Sequence, residues 1–242
     1  VKKMKQYKFQ GNPIFQGIPL VGNLVYDERG EEILAIHNER FRGVSNVEDK
    51  TNYKRGQPLS FSNVPRVHSY EQLLRERFPD MHILSPEEVV MHWDAIPERD
   101  STYADTNSIA VYPNQGQNED LRQKILKILN KDKTDIPLIV SGLGVEKADN
   151  NCGFTLTETP YLLVKEAPFL KADGRLSYDG TSIVQSNEGI PVYVPDDQNG
   201  LRRVFRGSAD GLFAWIYDLL GSSGDGRVQI LYDPQGRAEN LE

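Results

Sequence analysis

Alternation of apolar and polar residues predicts both strands and helices, and the clearest join between them lies in residues 67–145. The run Ser108-Ile109-Ala110-Val111-Tyr112 is typical of a buried strand, and residues 136–141 form a second such run. Between the two runs Asn118 is placed to cap an amphipathic helix. The apolar residues on one face of this helix are Leu121, Ile125, Ile128 and Leu129. Strand, helix and strand together have the length of a βαβ unit, which predicts that the two strands are parallel neighbours.

Two helix starts upstream carry capping-box patterns. Ser85-Pro86-Glu87-Glu88 combines a capping serine, a proline in the first turn and a glutamate three residues after the serine. Ser69-Tyr70-Glu71-Gln72 resembles it and predicts a helix that ends near Phe78, because Pro79 follows. Met81-His82-Ile83-Leu84 between them predicts a short buried strand, the third of the core.

The two ends of the chain are predicted to be rich in β structure. Near the amino terminus, residues 18–26 and 31–37 are apolar runs around a polar turn that contains Gly30, which predicts a hairpin. From Val145 onward, short runs of strand character alternate with turn residues; the competing helical segment is 211–220. The predicted strands of this part are 153–157, 161–165, 182–185, 191–194, 201–205 and 228–232.

These patterns predict a mixed α+β (α/β) fold with a small parallel βαβ core flanked by antiparallel β-hairpins and sheet at both ends. The predicted division is a β-rich part from 1 to 66, an α/β core from 67 to 145 and a β-rich part from 146 to 242. A chain of this length forms one or two domains.

Composition narrows the partners of the protein. Hydrophobic residues make up 38% and charged residues 26% of the 242 residues, and no apolar run approaches the ~18 residues of a membrane span. The single cysteine, Cys152, excludes an intramolecular disulfide, which fits a cytoplasmic location. A net charge of −7 disfavours binding to a nucleic-acid backbone. The sequence leaves open whether the protein forms a homo-oligomer.

Two loops are candidates for a ligand site. If the two strands are parallel, the loops after them lie side by side at their carboxyl ends, where a helix amino terminus attracts anions. The candidate ligand-binding residues are Asn114, Gln115, Gly116, Asn118, Gly142 and Gly144. The loops match neither a P-loop nor a dinucleotide fingerprint, and an ordinary turn is the competing interpretation.

A cluster of acidic side chains precedes the first of these strands. Paired carboxylates serve general acid–base chemistry and, with an imidazole, bind hard divalent cations. The candidate catalytic residues are His92, Asp94, Glu98, Asp100 and Asp105. Their spacing matches no metal motif, so the identity of any metal or cofactor stays open, and a solvated polar loop is the competing interpretation.

The aromatic residues offer a further type of surface. Trp93, Trp215 and the eleven tyrosines are able to stack on bases or sugars, although single aromatic residues more often belong to a core or an interface. Together the patterns favour a protein that binds a small anionic ligand at the carboxyl ends of parallel strands, with a metal-assisted or acid–base hydrolase as the enzymatic form of the hypothesis. A non-enzymatic protein-interaction or structural module is the alternative.

Overall fold

A computed structural model describes residues 10–15, 18–208 and 211–232 of the chain. It is a mixed α+β structure in which helices pack against mostly antiparallel sheets. The α-helices are α1 (Glu28–Arg40), α2 (Val64–Arg77), α3 (Pro86–Met91) and α4 (Glu119–Ile128). None of the helices in the described part of the chain is long and apolar enough to cross a membrane.

The strands form one large sheet and two small ones. The first half of the chain contains β1 (Gln10–Phe15), β2 (Ile18–Asn23), β3 (Met81–Ile83), β4 (Ala104–Val111), β5 (Leu138–Ser141), β6 (Gly144–Lys147) and β7 (Phe154–Thr157). The second half contains β8 (Leu163–Glu166), β9 (Gly174–Tyr178), β10 (Ile183–Ser186), β11 (Ile190–Tyr193), β12 (Leu201–Arg206), β13 (Leu212–Phe213) and β14 (Gln229–Tyr232).

The eight-stranded sheet has the order β10-β9-β11-β13-β12-β4-β5-β8, the four-stranded sheet has the order β1-β2-β14-β3, and β6 pairs with β7. Among the described strands, β11 and β13 form the single parallel pair. The antiparallel sheet predicted for the second half of the chain is confirmed in its general form, and each strand predicted there overlaps an observed one. β9 was missed, and the segment 211–220 contains β13 and extended chain instead of a helix. The division into parts 1–66, 67–145 and 146–242 stays a prediction.

The predicted parallel βαβ core is wrong, although its three elements exist. β4 and β5 are neighbours but run antiparallel, with Ile109 opposite Val140 and Val111 opposite Leu138. Apolar runs indicate that a strand is buried but not in which direction it runs. β5 begins opposite the end of β4, so the two strands run in opposite directions although a helix connects them.

The predicted hairpin of residues 18–37 is also wrong in its second half. β2 is present, but residues 31–37 belong to α1, whose amino terminus is capped by the Asp27 carboxylate through Arg29 N and Gly30 N. Ile33, Leu34 and His37 are buried at helical spacing. Further along, α2 begins at Asn63 rather than Ser69, because the Asn63 side chain accepts a hydrogen bond from Arg66 N at 3.1 Å.

The predicted start of α3 is confirmed, including the capping box. The Ser85 hydroxyl accepts from Glu88 N at 3.2 Å, and the Glu88 carboxylate accepts from Ser85 N at 2.8 Å. The helix leads directly into the segment of acidic residues and positions the chain before β4. The cap therefore fixes the start of the helix that precedes this segment.

Replacement of the capping serine, Ser85→Ala, is expected to lower the free energy of unfolding by about 1 kcal/mol, because the Glu88 amide loses its acceptor. Urea denaturation measures the change. Ser182→Ala, at an exposed turn whose hydroxyl caps no helix, is the control. An equal loss in both variants would contradict the role of the cap.

Candidate functional site

Each of the four acidic side chains of the predicted catalytic cluster faces an arginine instead of a shared centre. The ion pairs are Asp94–Arg99 at 3.1 Å, Asp100–Arg99 at 3.7 Å, Glu98–Arg227 at 2.9 Å and Asp105–Arg203 at 2.8 Å. Their environments differ sharply, since the side chains of Asp94 and Asp100 are 98% and 86% exposed and that of Asp105 is 2% exposed. Each of these acids is thus the counter-ion of an arginine.

His92 lies apart from these ion pairs at the end of α3. Its backbone N–H donates to Glu88 O at 2.9 Å, and partial burial lowers the pKa of its imidazole. Among the described residues no group of three or more His, Cys, Asp or Glu is arranged to hold a metal ion. A catalytic role for His92 and the four acids stays a prediction.

The predicted ligand-binding loops lie at opposite ends of the strand pair. Because β4 and β5 are antiparallel, the loop of residues 113–118 follows one end of the pair and the loop of residues 142–144 follows the other. The expectation that they lie side by side is therefore wrong. Gln115 is exposed, and Asn114 donates to Asp197 O at 3.4 Å across to the chain before β12.

Local contacts already occupy several groups of these loops. Gly116 N donates to the Glu119 carboxylate at 3.2 Å, and Asn118 takes a left-handed conformation in which its amide donates to Tyr217 O at 2.7 Å. Gly142 has φ of +70°, and a Cβ there would come within 2.0 Å of Tyr161 O. A Cβ on Gly144 would come within 2.6 Å of the Thr157 hydroxyl. Close packing thus accounts for both glycines, while their ligand-binding role stays a prediction.

A cleft of ≈ 380 Å³ opens on the large sheet. We name it the aromatic cleft, and its defining residues are Tyr103, Arg203, Phe205, Phe213 and the segment 221–225. Phe205 of β12 and Phe213 of β13 stack with ring centroids 5.2 Å apart, and Tyr103 meets Phe205 edge-on at 6.2 Å. The pairing of β12 with β13 brings the two phenylalanines opposite each other, which produces an aromatic wall.

The base of the aromatic cleft is a buried ion pair. Arg203 donates from Nε to Asp105 Oδ1 and from Nη2 to Asp105 Oδ2, both at 2.8 Å, and the Ser62 hydroxyl donates to Asp105 Oδ2 at 2.6 Å. The Arg203 guanidinium lies 5.7 Å from the Tyr103 ring centroid and 5.4 Å from that of Phe205. This bidentate ion pair fixes the Arg203 and Asp105 side chains and leaves the base of the cleft without net charge.

The rim of the aromatic cleft is polar. Tyr103 donates its hydroxyl to Ser62 O at 3.0 Å and accepts from Ser223 N at 2.9 Å, and burial raises the pKa of this phenol. The Ser223 hydroxyl donates to the Asp225 carboxylate, and Ser222 is exposed beside it. Hydroxyl and carboxylate groups thus surround an aromatic wall.

A second cleft of ≈ 500 Å³ adjoins the first. We name it the Trp215 cleft; its lining residues are Asn118, Cys152 and residues 215–220. Trp215 and Tyr217 are 51% and 54% exposed, and Ile216 lines both clefts. Burial raises the pKa of the Cys152 thiol, which disfavours the nucleophilic thiolate.

The aromatic cleft was missed in the sequence, since its residues lie far apart along the chain. One signal was present: Arg203 and Phe205 alternate in Leu-Arg-Arg-Val-Phe-Arg, so both project from one face of a strand. Comparison with protein-family models, curated proteins and solved structures finds no match.

The histidines differ in their surroundings. Burial lowers the pKa of both His37 and His68 to about 4, and at His68 the Asp105 carboxylate and the Leu143 carbonyl offset only part of this effect. His82 contacts Glu88 at 2.5 Å; burial opposes its protonation, but the carboxylate prevails and raises the His82 pKa. Burial likewise opposes ionisation of Glu88, yet His82 and Ser85 lower the pKa of its carboxyl to about 2.

Breaking the buried ion pair with Asp105→Asn is expected to lower the free energy of unfolding by about 3–5 kcal/mol, because Arg203 is left buried without a counter-charge. Chemical denaturation measures the loss. Asp100→Asn, at an exposed carboxylate, is the control and should unfold like the wild type. The double variant Asp105→Leu/Arg203→Leu should recover part of the stability. Equal effects of Asp105→Asn and Asp100→Asn would contradict the assignment.

The free energy of unfolding is expected to fall as pH decreases from about 6.5 to about 4. In this range unfolded His37 and His68 bind protons, whereas their folded forms, with pKa of about 4, stay neutral. NMR titration of the four histidines should show both staying neutral well below pH 6. His82, whose pKa is raised, should titrate above 6.5, so its stabilising ion pair is lost as pH rises. Four titrations close to pH 6.5 would contradict this account.

Proposed function

We propose that this protein binds a small molecule with a flat ring and a polar edge in the aromatic cleft. The observation that carries the proposal is the pair of stacked rings, Phe205 and Phe213, held on adjacent strands at the side of an open space. A third ring, Tyr193 of β11, stacks on Phe213 with centroids 4.6 Å apart, so Phe213 lies between two rings on neighbouring strands. Rings held in such a row form a rigid apolar wall, and a ligand that packs against it costs little conformational entropy of the side chains.

The size and shape of the cleft support a small ligand. Its volume of ≈ 380 Å³ lies in the usual range of about 300–1,000 Å³ for small-molecule sites. Typical sites combine aromatic walls with a few polar groups that orient the ligand. Here Tyr103, Ser222, Ser223 and Asp225 are the polar groups.

The charges at the aromatic cleft favour a neutral or weakly cationic ligand. Arg203 is its one cationic lining residue among those described, and Asp105 already neutralises it. Asp225 adds a negative charge at the rim. The small anionic ligand expected from the sequence therefore does not suit this cleft, and its binding at residues 114–118 stays a separate prediction.

The proposal concerns binding rather than hydrolysis. General acid–base catalysis requires a group that is free to exchange a proton with the ligand. Both oxygens of Asp105 are occupied by Arg203, and Ser62 donates to one of them as well. A metal-assisted or acid–base hydrolase stays a prediction without support from the aromatic cleft.

The alternative, a non-enzymatic interaction or structural module, has support from a different feature. No strand in the described ranges pairs with the outer side of β10 or of β8, the two ends of the large sheet. Unpaired edges present N–H and C=O groups to another chain, including a second copy of this one.

A bulky side chain at the rim, Ser222→Trp, is expected to abolish ligand binding without loss of folding, because Ser222 is exposed and borders the aromatic cleft. The probes are neutral sugars, nucleosides and aromatic amides, screened by thermal shift. A probe at a hundred times its Kd should stabilise the wild type by about 2.7 kcal/mol.

The matched control is Ser182→Trp, which places the same ring on an exposed turn outside both clefts. The proposal requires a probe that stabilises the wild type and Ser182→Trp but not Ser222→Trp. A probe that stabilises all three proteins contradicts the assigned site. If no probe stabilises the wild type, ligand binding is contradicted and the interaction module is favoured.

A further inference from the structure

The two clefts lie on either side of one stretch of chain, residues 214–223, which we name the strap. Ile216 lines both clefts; beyond it, residues 217–220 line the Trp215 cleft and residues 221–223 line the aromatic cleft. A ligand long enough to pass Ile216 would therefore contact aromatic residues on both sides. The combined surface has Trp215 and Tyr217 at one end and Phe205 and Phe213 at the other.

Hydrogen bonds hold the backbone of the strap in place. Most strap carbonyls accept hydrogen bonds from residues outside it, including those of the three residues at its exposed end. At these three residues the bonds are Arg202 Nη1 to Trp215 O at 3.4 Å, Arg203 N to Ile216 O at 2.9 Å and Asn118 Nδ2 to Tyr217 O at 2.7 Å. Trp215 and Tyr217 are thus about half exposed on a fixed backbone. Aromatic rings positioned before binding lose little entropy when a ligand stacks on them.

The polar groups of the Trp215 cleft accept hydrogen bonds rather than bind anions. Asp218 Oδ1 accepts from Leu220 N and Gly221 N, both at 3.0 Å, which orients the carboxylate at the edge of the strap. Asn118 adds an amide, and no lysine or arginine is among the described residues that line this cleft. Arg202 lies over the Tyr217 ring, 5.6 Å from its centroid, but its charge is already paired with Asp197 at 3.1 Å, so an anionic ligand would meet the Asp218 carboxylate without an unpaired cation beside it.

Sugar rings match this combination of groups. One face of a sugar carries C–H groups that pack on the electron-rich face of an aromatic ring, and its hydroxyls donate to carboxylate and amide oxygens. Aromatic rings alone would suit any flat molecule, but carboxylates at the edges of both clefts favour a neutral ligand with many hydroxyl donors. Two adjoining clefts favour a ligand built from repeated rings.

We propose that the ligand is a neutral oligosaccharide that occupies both clefts, with one sugar ring in the aromatic cleft and a later ring against Trp215 and Tyr217. This inference rests on the proposed function of the aromatic cleft and adds the ligand class and a second subsite. A chain that fills both subsites binds more tightly than a single ring, because the second contact forms within the same complex.

The test uses the full chain with neutral oligosaccharides of glucose, galactose, mannose and N-acetylglucosamine, from one to six units long. Calorimetry measures Kd for each length. For at least one series, affinity should increase by about tenfold or more once the chain is long enough to reach the second subsite. Trp215→Ala should remove this gain, so that long chains bind the variant no more tightly than short ones.

Tyr161→Ala is the matched control, since Tyr161 is 42% exposed, lies against Arg75 and lines neither cleft. The chain has two tryptophans, so Trp93→Phe leaves Trp215 as the reporter. In that protein long oligosaccharides should shift Trp215 emission and single sugars should not.

The outcomes separate the two proposals. Sugars could bind in a manner that Ser222→Trp abolishes but that neither chain length nor Trp215→Ala changes. That result would contradict the second subsite and would support the aromatic cleft as the binding site. If no sugar of any length binds, the oligosaccharide inference is overturned, while nucleosides or aromatic amides bound in the aromatic cleft would still support the proposed function.

Discussion

The structure depends on the arginines of β12, a strand whose residues are all buried. A buried guanidinium is tolerated only when its donors are satisfied, so each arginine imposes a position on a neighbouring segment. Arg202 binds Asp197 and the strap, and Arg203 binds Asp105 and Gly221 O. Arg206 donates to Thr102 O, to Arg99 O and to the Gln229 side chain, and burial lowers the pKa of its guanidinium to about 10. One strand thereby fixes the chain before β4, the strap and β14.

The predicted catalytic acids lie within this network of arginines, and their catalytic role stays a prediction. The acids between residues 94 and 105 balance arginines, and the one buried carboxylate, Asp105, has both oxygens engaged by Arg203. What the ion pair provides is a rigid, neutral base beneath Tyr103 and Phe205. The aromatic cleft therefore offers a ligand apolar contact and hydrogen bonding.

The same contacts stabilise the fold and hold the walls of the two clefts in position. Arg203 neutralises Asp105 and also donates to the strap carbonyls of Asp218 and Gly221. Asn118, at the start of α4, donates to Tyr217 O. Weakening the buried pair would therefore loosen the walls of both clefts as well as the core. Such coupling keeps Trp215 and Tyr217 in place although both side chains are about half exposed.

Local chemistry determined many elements from the sequence alone. The capping box at Ser85, the amphipathic face of α4 and the turns between the later strands each depend on residues close together in the chain. Tertiary structure decided the rest. The apolar runs of β4 and β5 specify burial but not direction, and the pairing in the folded sheet is antiparallel. The partners of Asp105 and the rings of the aromatic cleft come from distant segments, so only the pairing of β4, β12 and β13 brought them together. The segment of residues 92–118 thus specified the strand β4, whereas a contact with β12 decided the partner of its buried acid, Asp105.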